Sequence, residues 1–466
     1  MTTPVLTARQ KRRLPWILAV GIFMQMLDAT ILNTALPVMA KDLQVSPLNM
    51  QMVVISYALT LALIMPLSGW LADRFGTRTI FLTSIVLFSA GSLFCALSSS
   101  LEELVFFRVV QGTGGAMMIP VGRLALMRSF DKSEWLDAMS FAVTPALIGP
   151  LIGPLLGGYL AQWASWHWIF LINLPIGALG LWFGMRYFPN FTKPGGRMDI
   201  SGYALFTLSA LLLTLGLDWA GQGGSGALFS LLIATGLLML WGYVRHAEKR
   251  RDALFPLELL AVRTFRVGLA GNLFSRIGIS SIPLLLPLLL QVAFGRTPEI
   301  AGWMLAPMAL SGIAAKPLIV PLIHRFGYRR VLTVNTTLVG LCVMSLALPS
   351  ADTPLLLFLP LLLVVGLVNS IQFSAMNTIA LADLHESQTG SGNSLMSVNQ
   401  QLAISFGLAA GASLLRFTHQ QEWLTHGDTH LAFRCTFIAL GAITLASTLI
   451  FKRLHHGDGD NLAQRI

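Results

Sequence analysis

The chain has 466 residues, of which 55% are hydrophobic and only 11% charged, against about 25% charged in an ordinary soluble domain. Apolar stretches long enough to cross a hydrocarbon core of roughly 30 Å as helices recur from end to end, and no segment between them is large enough to fold as a domain. That excludes a secreted protein, a nucleic-acid binder and a soluble multidomain enzyme. The net charge of +10 does not point to a phosphate-rich partner, because the charges sit at the ends of the apolar stretches.

In chain order the predicted spans cover residues 14–36, 50–72, 79–98, 103–126, 138–160, 166–188, 199–218 and 227–245, then 267–290, 299–323, 331–349, 354–381, 389–415 and 431–451. The fold class is therefore an all-α polytopic membrane protein with fourteen spans. Short loops rich in Lys and Arg stay on the cytoplasmic side, whereas acidic residues contribute little. With the N-terminus placed inside, 24 of the 31 Lys and Arg fall in inner loops or tails, and only Lys41, Arg296, Arg416 and Arg434 fall outside. Both termini are accordingly expected in the cytoplasm. The basic start followed by an apolar run does not read as a cleaved signal peptide, since the run exceeds a typical signal core and contains Asp28.

Cys95, Cys342 and Cys435 are odd in number and scattered, so they imply neither a disulfide framework nor a metal cluster. Trp16, Trp163, Trp166, Trp168 and Trp241 lie near span ends, where an apolar ring with a polar N–H suits the headgroup boundary. No P-loop and no zinc-type HExxH sequence occurs, and His455-His456 on the basic tail read as solvated.

An internal echo organises the chain: Asp73-Arg74-Phe75-Gly76-Thr77-Arg78 returns as His324-Arg325-Phe326-Gly327-Tyr328-Arg329, each at the inner end of a span. Two related six-span bundles, residues 1–188 and 252–466, then flank an inserted pair of spans within 189–251. Such duplicated bundles suit transporters that bind near the bilayer midplane and rock one half against the other.

The charges inside the spans are few and uneven. Arg108, Arg276 and Lys316 are cationic, and Asp28 is the only carboxylate well inside a span. An ionisable residue at that depth is costly and marks a functional site by default. Arg276, with Asn272 and Ser275 beside it, has no acid partner evident in its own half, so an anionic or zwitterionic small molecule, a carboxylate metabolite or its metal chelate, is the expected cargo. Lipophilic cations would instead call for carboxylates and aromatic rings. Lys316 lies near enough to the inner end to snorkel. Asn369, Gln372, Asn377, Asn399, Gln400 and Gln401 either contact substrate or bridge helices, and both readings are open.

Four further stretches carry a resemblance: Leu27-Asp28-Ala29-Thr30-Ile31-Leu32-Asn33-Thr34-Ala35-Leu36-Pro37, the loop from Gly69 to Arg78, Arg108-Val109-Val110-Gln111-Gly112, and the series Gly149-Pro150, Gly153-Pro154, Gly157-Gly158. Together they resemble the major facilitator superfamily, in its fourteen-span drug:proton antiporter branch, over nearly the whole chain. The run from Trp166 to Pro175 is also similar, although His167 stands where that family usually has Arg.

The resemblance implies a monomer that exports small molecules against protons, driven by the proton gradient and without a cofactor or metal. It implies proton coupling through Asp28 and Arg108, with a permanent ion pair or a fixed hydrogen bond as the structural alternative. It implies an ionic latch between Asp73, Arg74 and Arg78, around the Gly76 turn, and a helix end across the bundle, against plain positive-inside topology. Because His324 replaces the acid in the second copy, a latch there is expected to be weaker or absent. The glycines of span five remove side chains so that another backbone can approach, and Pro150 and Pro154 allow a bend. Substrate contacts are assigned to Arg276, Asn272, Asn377 and Gln400, with Asn33 and Gln111 in the first half. The rivals are an exporter of lipophilic cationic drugs, or a proton-coupled importer on the same fold, and the lipid-facing inserted pair has no assigned role.

Overall fold

The computed structural model describes residues 7–130, 134, 138–139, 141–142, 148–193, 198–221, 225–250, 253–455 and 457–459. Among them the regular structure is helical throughout. In lipid every backbone N–H and C=O must be satisfied within the chain, and a helix does so inside each segment. Pro15, Pro120 and Pro360 lie inside helices all the same, each removing one such bond.

The chain divides into two compact units, Met1–Met198 with Thr297–Trp303, and Asp199–Arg296 with Met304–Ile466. The first contains α1 (Ala8–Ile31), α2 (Gln51–Ile64), α3 (Ser68–Phe75), α4 (Thr77–Ala96), α5 (Leu101–Ser129), α6 (Ile148–Trp163), α7 (His167–Leu171) and α8 (Asn173–Tyr187). Its core is a continuous apolar cluster in which Leu18, Phe81, Phe88, Met118 and Phe188 are fully or almost fully shielded. The second contains α9 (Ile200–Gly221), α10 (Gly226–Glu248), α11 (Arg263–Leu288), most of α12 (Pro298–Ala314), α13 (Lys316–Ser345), α14 (Leu355–Ala382), α15 (Glu386–Gln420) and α16 (Thr429–Phe451).

Eleven described helices are long and apolar enough to cross a membrane, or twelve if the pair bent by 53° between Ala314 and Lys316 is one span. Two local features separate this count from fourteen. Gly327, at φ 70°, kinks α13 into two stretches, and a positive φ of this kind is the conformation glycine supplies. The second is α6, which has 16 residues and follows positions 143–147, outside the described residues. The loop residues Lys132, Arg197, Arg251 and Arg465, and His456, also lie outside them.

The predicted interfacial tryptophans divide. Trp16, Trp163, Trp168 and Trp241 are 55% or more exposed, whereas Trp166 is 3% exposed. Its indole N–H donates to the Asp42 carboxylate at 2.7 Å, and its ring stacks on His167. A polar partner at the span end therefore draws this ring into the protein.

The inserted pair is held at both ends by polar contacts within the second unit. At one end Asp218 of α9 pairs with Arg416 of α15, both side chains 6% exposed, and Ser413 donates to the Leu217 carbonyl at 2.6 Å. At the other, Asp199 accepts from the backbone N–H of Gly202 (3.0 Å) and Leu254 (3.2 Å), from Arg250 (3.2 Å), and bonds His246 Nε2 at 2.7 Å. Burial alone would raise the Asp199 pKa, but the Gly202 N–H, His246 and the Leu254 N–H outweigh it and hold the carboxyl below its ordinary value. A carboxyl whose folded pKa is depressed contributes stability that is present above the unfolded pKa, about 3.9, and is lost as pH falls through the folded value. In detergent, Asp199→Asn is therefore expected to melt below the parent at pH 7. The gap should close as pH drops below about 4, and a gap unchanged down to pH 3 would count against this clasp.

Candidate functional site

Within the first unit, five helices deliver polar side chains to one buried point. Asp28 comes from α1, Tyr57 from α2, Ser92 from α4, Arg108 and Gln111 from α5 and Asn173 from the start of α8. Asp28 and Arg108 are each 1% exposed, and Gln111, Ser92 and Asn173 are fully shielded. Arg108 Nη1 donates to Asp28 Oδ2 at 2.7 Å and to Gln111 Oε1 at 2.6 Å, while its Nε donates to the Val53 carbonyl at 3.1 Å. The other Asp28 oxygen accepts from Gln111 Nε2 at 2.7 Å and from Asn173 Nδ2 at 3.2 Å. Ser92 Oγ accepts from both of these amides.

Both charges thus arrive with partners. The guanidinium also lies over the Tyr57 ring, 4.1 Å from its centroid, where the ring quadrupole favours a cation. Chemically this is a buried carboxylate facing a guanidinium, which does not lose its proton in proteins. Neutralising Asp28 would remove one charge of the pair and leave the other buried. Two packings of comparable energy can be biased by such an event. Tyr57 Oη and Asn173 Oδ1 are buried with no hydrogen-bond partner among the described residues, so the cluster has spare capacity.

The glycine series lies directly against α1. A Cβ on Gly149 would meet the Leu27 nitrogen at 3.0 Å, one on Gly153 would meet Thr30 Oγ1 at 2.2 Å, and one on Gly157 would meet the Ile31 carbonyl oxygen at 1.9 Å. Thr30 and Thr34 bond across to the carbonyls of Gly149 and Pro154 at 3.4 and 3.3 Å. The helix following Asp28 thus depends on bare backbone opposite it. Gly158 instead faces Pro298, and α6 runs continuously through Pro150 and Pro154. Asn33 is buried beside this seam, with its Oδ1 unpartnered among the described residues.

Asp73 ends α3 and pairs with Arg128, in the last turn of α5, at 2.5 Å. Arg74 packs against Trp70 and Phe75, with its guanidinium 5.5 and 5.8 Å from their centroids. Gly76 has φ 94°, and a Cβ there would strike Asn190 at 2.2 Å; the same Asn190 accepts from the Arg78 N–H at 3.2 Å. Gly327 in the second copy repeats the positive φ, while His324 is exposed.

In the second unit Arg276 of α11 holds its guanidinium carbon 5.0 Å from the Phe373 centroid, and its Nε is buried without a partner among the described residues. One turn earlier, both amide atoms of Asn272 are buried and unpartnered in the same sense. Gln400 Nε2 donates to Asn377 Oδ1 at 2.6 Å, and Asn399 donates to the Leu269 carbonyl at 3.0 Å. Gln372 is used between helices, bonding Asn335 and Thr336. Lys316 is exposed at the 53° bend.

The sequence reading missed Asn173, Ser92 and Tyr57 as partners of the charged pair, and Arg128 as the partner of Asp73. A signal existed for Asn173, a lone amide in the apolar run Phe170-Leu171-Ile172-Asn173-Leu174. None existed for Ser92.

A family model described as Major Facilitator Superfamily matches residues 18–197 and 268–464. The chain belongs to the major facilitator superfamily. The unmatched interval, residues 198–267, holds the inserted helices α9 and α10. The chain is 46% identical over 455 residues to "Putative multidrug resistance protein MdtD" of Escherichia coli O6:H1, with 96% of each chain covered. It is also 46% identical over 454 residues to the protein of that name in Klebsiella pneumoniae subsp. pneumoniae, with 97% of this chain and 96% of that one covered. Among solved structures, a D-xylose-proton symporter superposes with TM-score 0.70 at 14% identity, covering 96% of this chain and 98% of that one. An auto-inhibited POT family peptide transporter does so with TM-score 0.70 at 17% identity and the same coverage. At such identities these two likenesses speak for the fold alone. This member of the superfamily is a multi-pass membrane transporter of small molecules and not an enzyme.

Proposed function

We propose that this transporter exports small anionic or zwitterionic molecules across a bacterial inner membrane in exchange for protons, by alternating access, with both termini in the cytoplasm. The observation that carries the coupling is the Asp28–Arg108 pair, 2.7 Å apart and shielded from solvent. In a low-dielectric site a carboxylate cannot change protonation without changing the energy of the cation beside it. Loading a proton on Asp28 removes the ionic part of the α1–α5 contact and leaves the neutral bonds from Gln111 and Asn173. The two protonation states then favour different packings of α1, and the glycine face of α6 gives α1 a smooth surface to move along. The Asp73–Arg128 pair acts as the inner latch in this scheme.

Cargo binding is assigned to the second unit. Arg276 offers a guanidinium with unused donors, Phe373 a flat face, and Asn272 a free amide, a set that suits a carboxylate. Asn377 and Gln400 supply the polar wall. The multidrug name of the relatives supports export and leaves room for lipophilic cations as the rival cargo.

Proteoliposomes holding a preset pH gradient test both parts. Small carboxylates are expected to dissipate the gradient and lipophilic cations to leave it standing. A response to cations alone would restore the multidrug reading and remove the anion site.

A further inference from the structure

We propose that the N-terminal end of α1 and the facing surface of α8 form a binding site for an anionic phospholipid. Between these helices lies a groove of about 560 Å³ whose mouth carries Arg9, Arg12 and Arg13. Among the described residues none of the three has a carboxylate within ion-pair distance, whereas the adjacent Lys11 pairs with Glu134 at 3.1 Å. A second groove, on the Lys11 side of α1, shares Arg12 and Trp16 with the first but includes Glu134 and so brings its own negative charge. The first groove brings none.

Three arginines crowd the first two turns of α1, and its first turn has no acidic residue to offset them. An anion is the missing partner. The Arg13 guanidinium is oriented by stacking 4.3 Å from the Tyr187 centroid. Beneath the arginines the groove turns apolar, with Ile17, Val20 and Phe183 as its walls. Gly180 completes the lining.

A free phosphate would use only the mouth. A phospholipid uses both parts, placing its phosphodiester among the arginines and an acyl chain along the wall. The surroundings match a lipid boundary: Trp16 is 58% exposed, and Trp182 and Met185 on α8 are 50% and 52% exposed. Basic pockets between membrane helices take acidic headgroups for the same reason. The inference uses the position of α1 in the membrane and does not depend on the cargo.

The test needs no transport. Full-length protein in detergent is titrated with phosphatidylglycerol or with phosphatidylcholine of identical chains, and retained lipid is counted by native mass spectrometry. Phosphatidylglycerol is expected to be retained about tenfold more, given roughly a fivefold attraction per basic residue before screening. Replacing Arg9, Arg12 and Arg13 together by Gln should bring it down to the phosphatidylcholine level, and replacing them by Lys should keep more than half. Equal retention of the two lipids by the parent overturns the proposal, and so does a Gln variant that holds phosphatidylglycerol like the parent. A Lys variant that loses as much as the Gln variant also overturns it, because charge is then not what holds the headgroup. Displacement of phosphatidylglycerol by millimolar inorganic phosphate would assign the arginines to a free anion and end the lipid reading.

Discussion

Asp28→Asn is expected to abolish proton movement driven by cargo while leaving a folded protein. The substitution keeps the shape of the side chain and an oxygen for Gln111 and Asn173, but it removes the charge that Arg108 meets at 2.7 Å. Removing one member of a buried pair leaves the other uncompensated and costs about 3 to 5 kcal/mol. The guanidinium keeps its bond to the Val53 carbonyl and its place over Tyr57, so the cost should fall at the lower end. Thermal unfolding in detergent measures it.

The double variant Asp28→Asn with Arg108→Gln separates structure from coupling. With both charges gone, the uncompensated-charge penalty disappears, so much of the lost stability should return. Coupling should not, because no group at the site can then carry a proton. If the double variant regained coupled flux, the proton would travel elsewhere. If Asp28→Asn alone still collapsed a pH gradient at the parent's rate, the carboxylate would be a fixed structural element and no more.

Arg276→Gln is expected to raise the KM for a carboxylate by about tenfold to a hundredfold, with cation handling unchanged. Hydrogen bonds to a charged group contribute about 1.5 to 3 kcal/mol, and each 1.4 kcal/mol is about tenfold. The stability cost should be small, because among the described residues nothing protein-borne pairs with this guanidinium and Phe373 is its one ring neighbour. Arg276→Lys should fall between the two, since an ammonium keeps the charge but loses the planar two-point fork. Radiolabelled counterflow gives the KM directly. An Arg276→Ala protein that expresses normally and carries a carboxylate as well as the parent would sink the assignment.

Asp28, Arg108 and Arg276 stood out in the sequence because charge is costly in hydrocarbon, so each isolated ionisable residue in an apolar run is conspicuous by itself. The glycines of span five were conspicuous for the same local reason, a spacing of four that puts them on one helix face. Their partners were not. Ser92 and Tyr57 are ordinary small or amphipathic residues within apolar helices, and nothing in their own neighbourhood distinguishes them from Ser84 or Tyr243. Asp73 was expected to latch, with its neighbouring arginines, onto a helix end across the bundle, but which end was not legible: it is Arg128 of α5, 55 positions away.

Residue patterns along the chain are enough to place this protein in a membrane and to build it of helices. Those properties follow from constraints that act within about twenty consecutive residues, the thickness of the bilayer and the need to satisfy each backbone group locally. Only the tertiary structure decided the pairings: Arg108 meets Asp28 from 80 positions away, Asn173 meets it from 145, and Arg416 meets Asp218 from 198. Apolar helix faces differ little in what they favour as neighbours, because lipid is as good a solvent for Leu as another helix is. Which helix faces which is therefore set by bare glycine surfaces and a few buried polar contacts acting together, and these exist only once the chain has closed on itself.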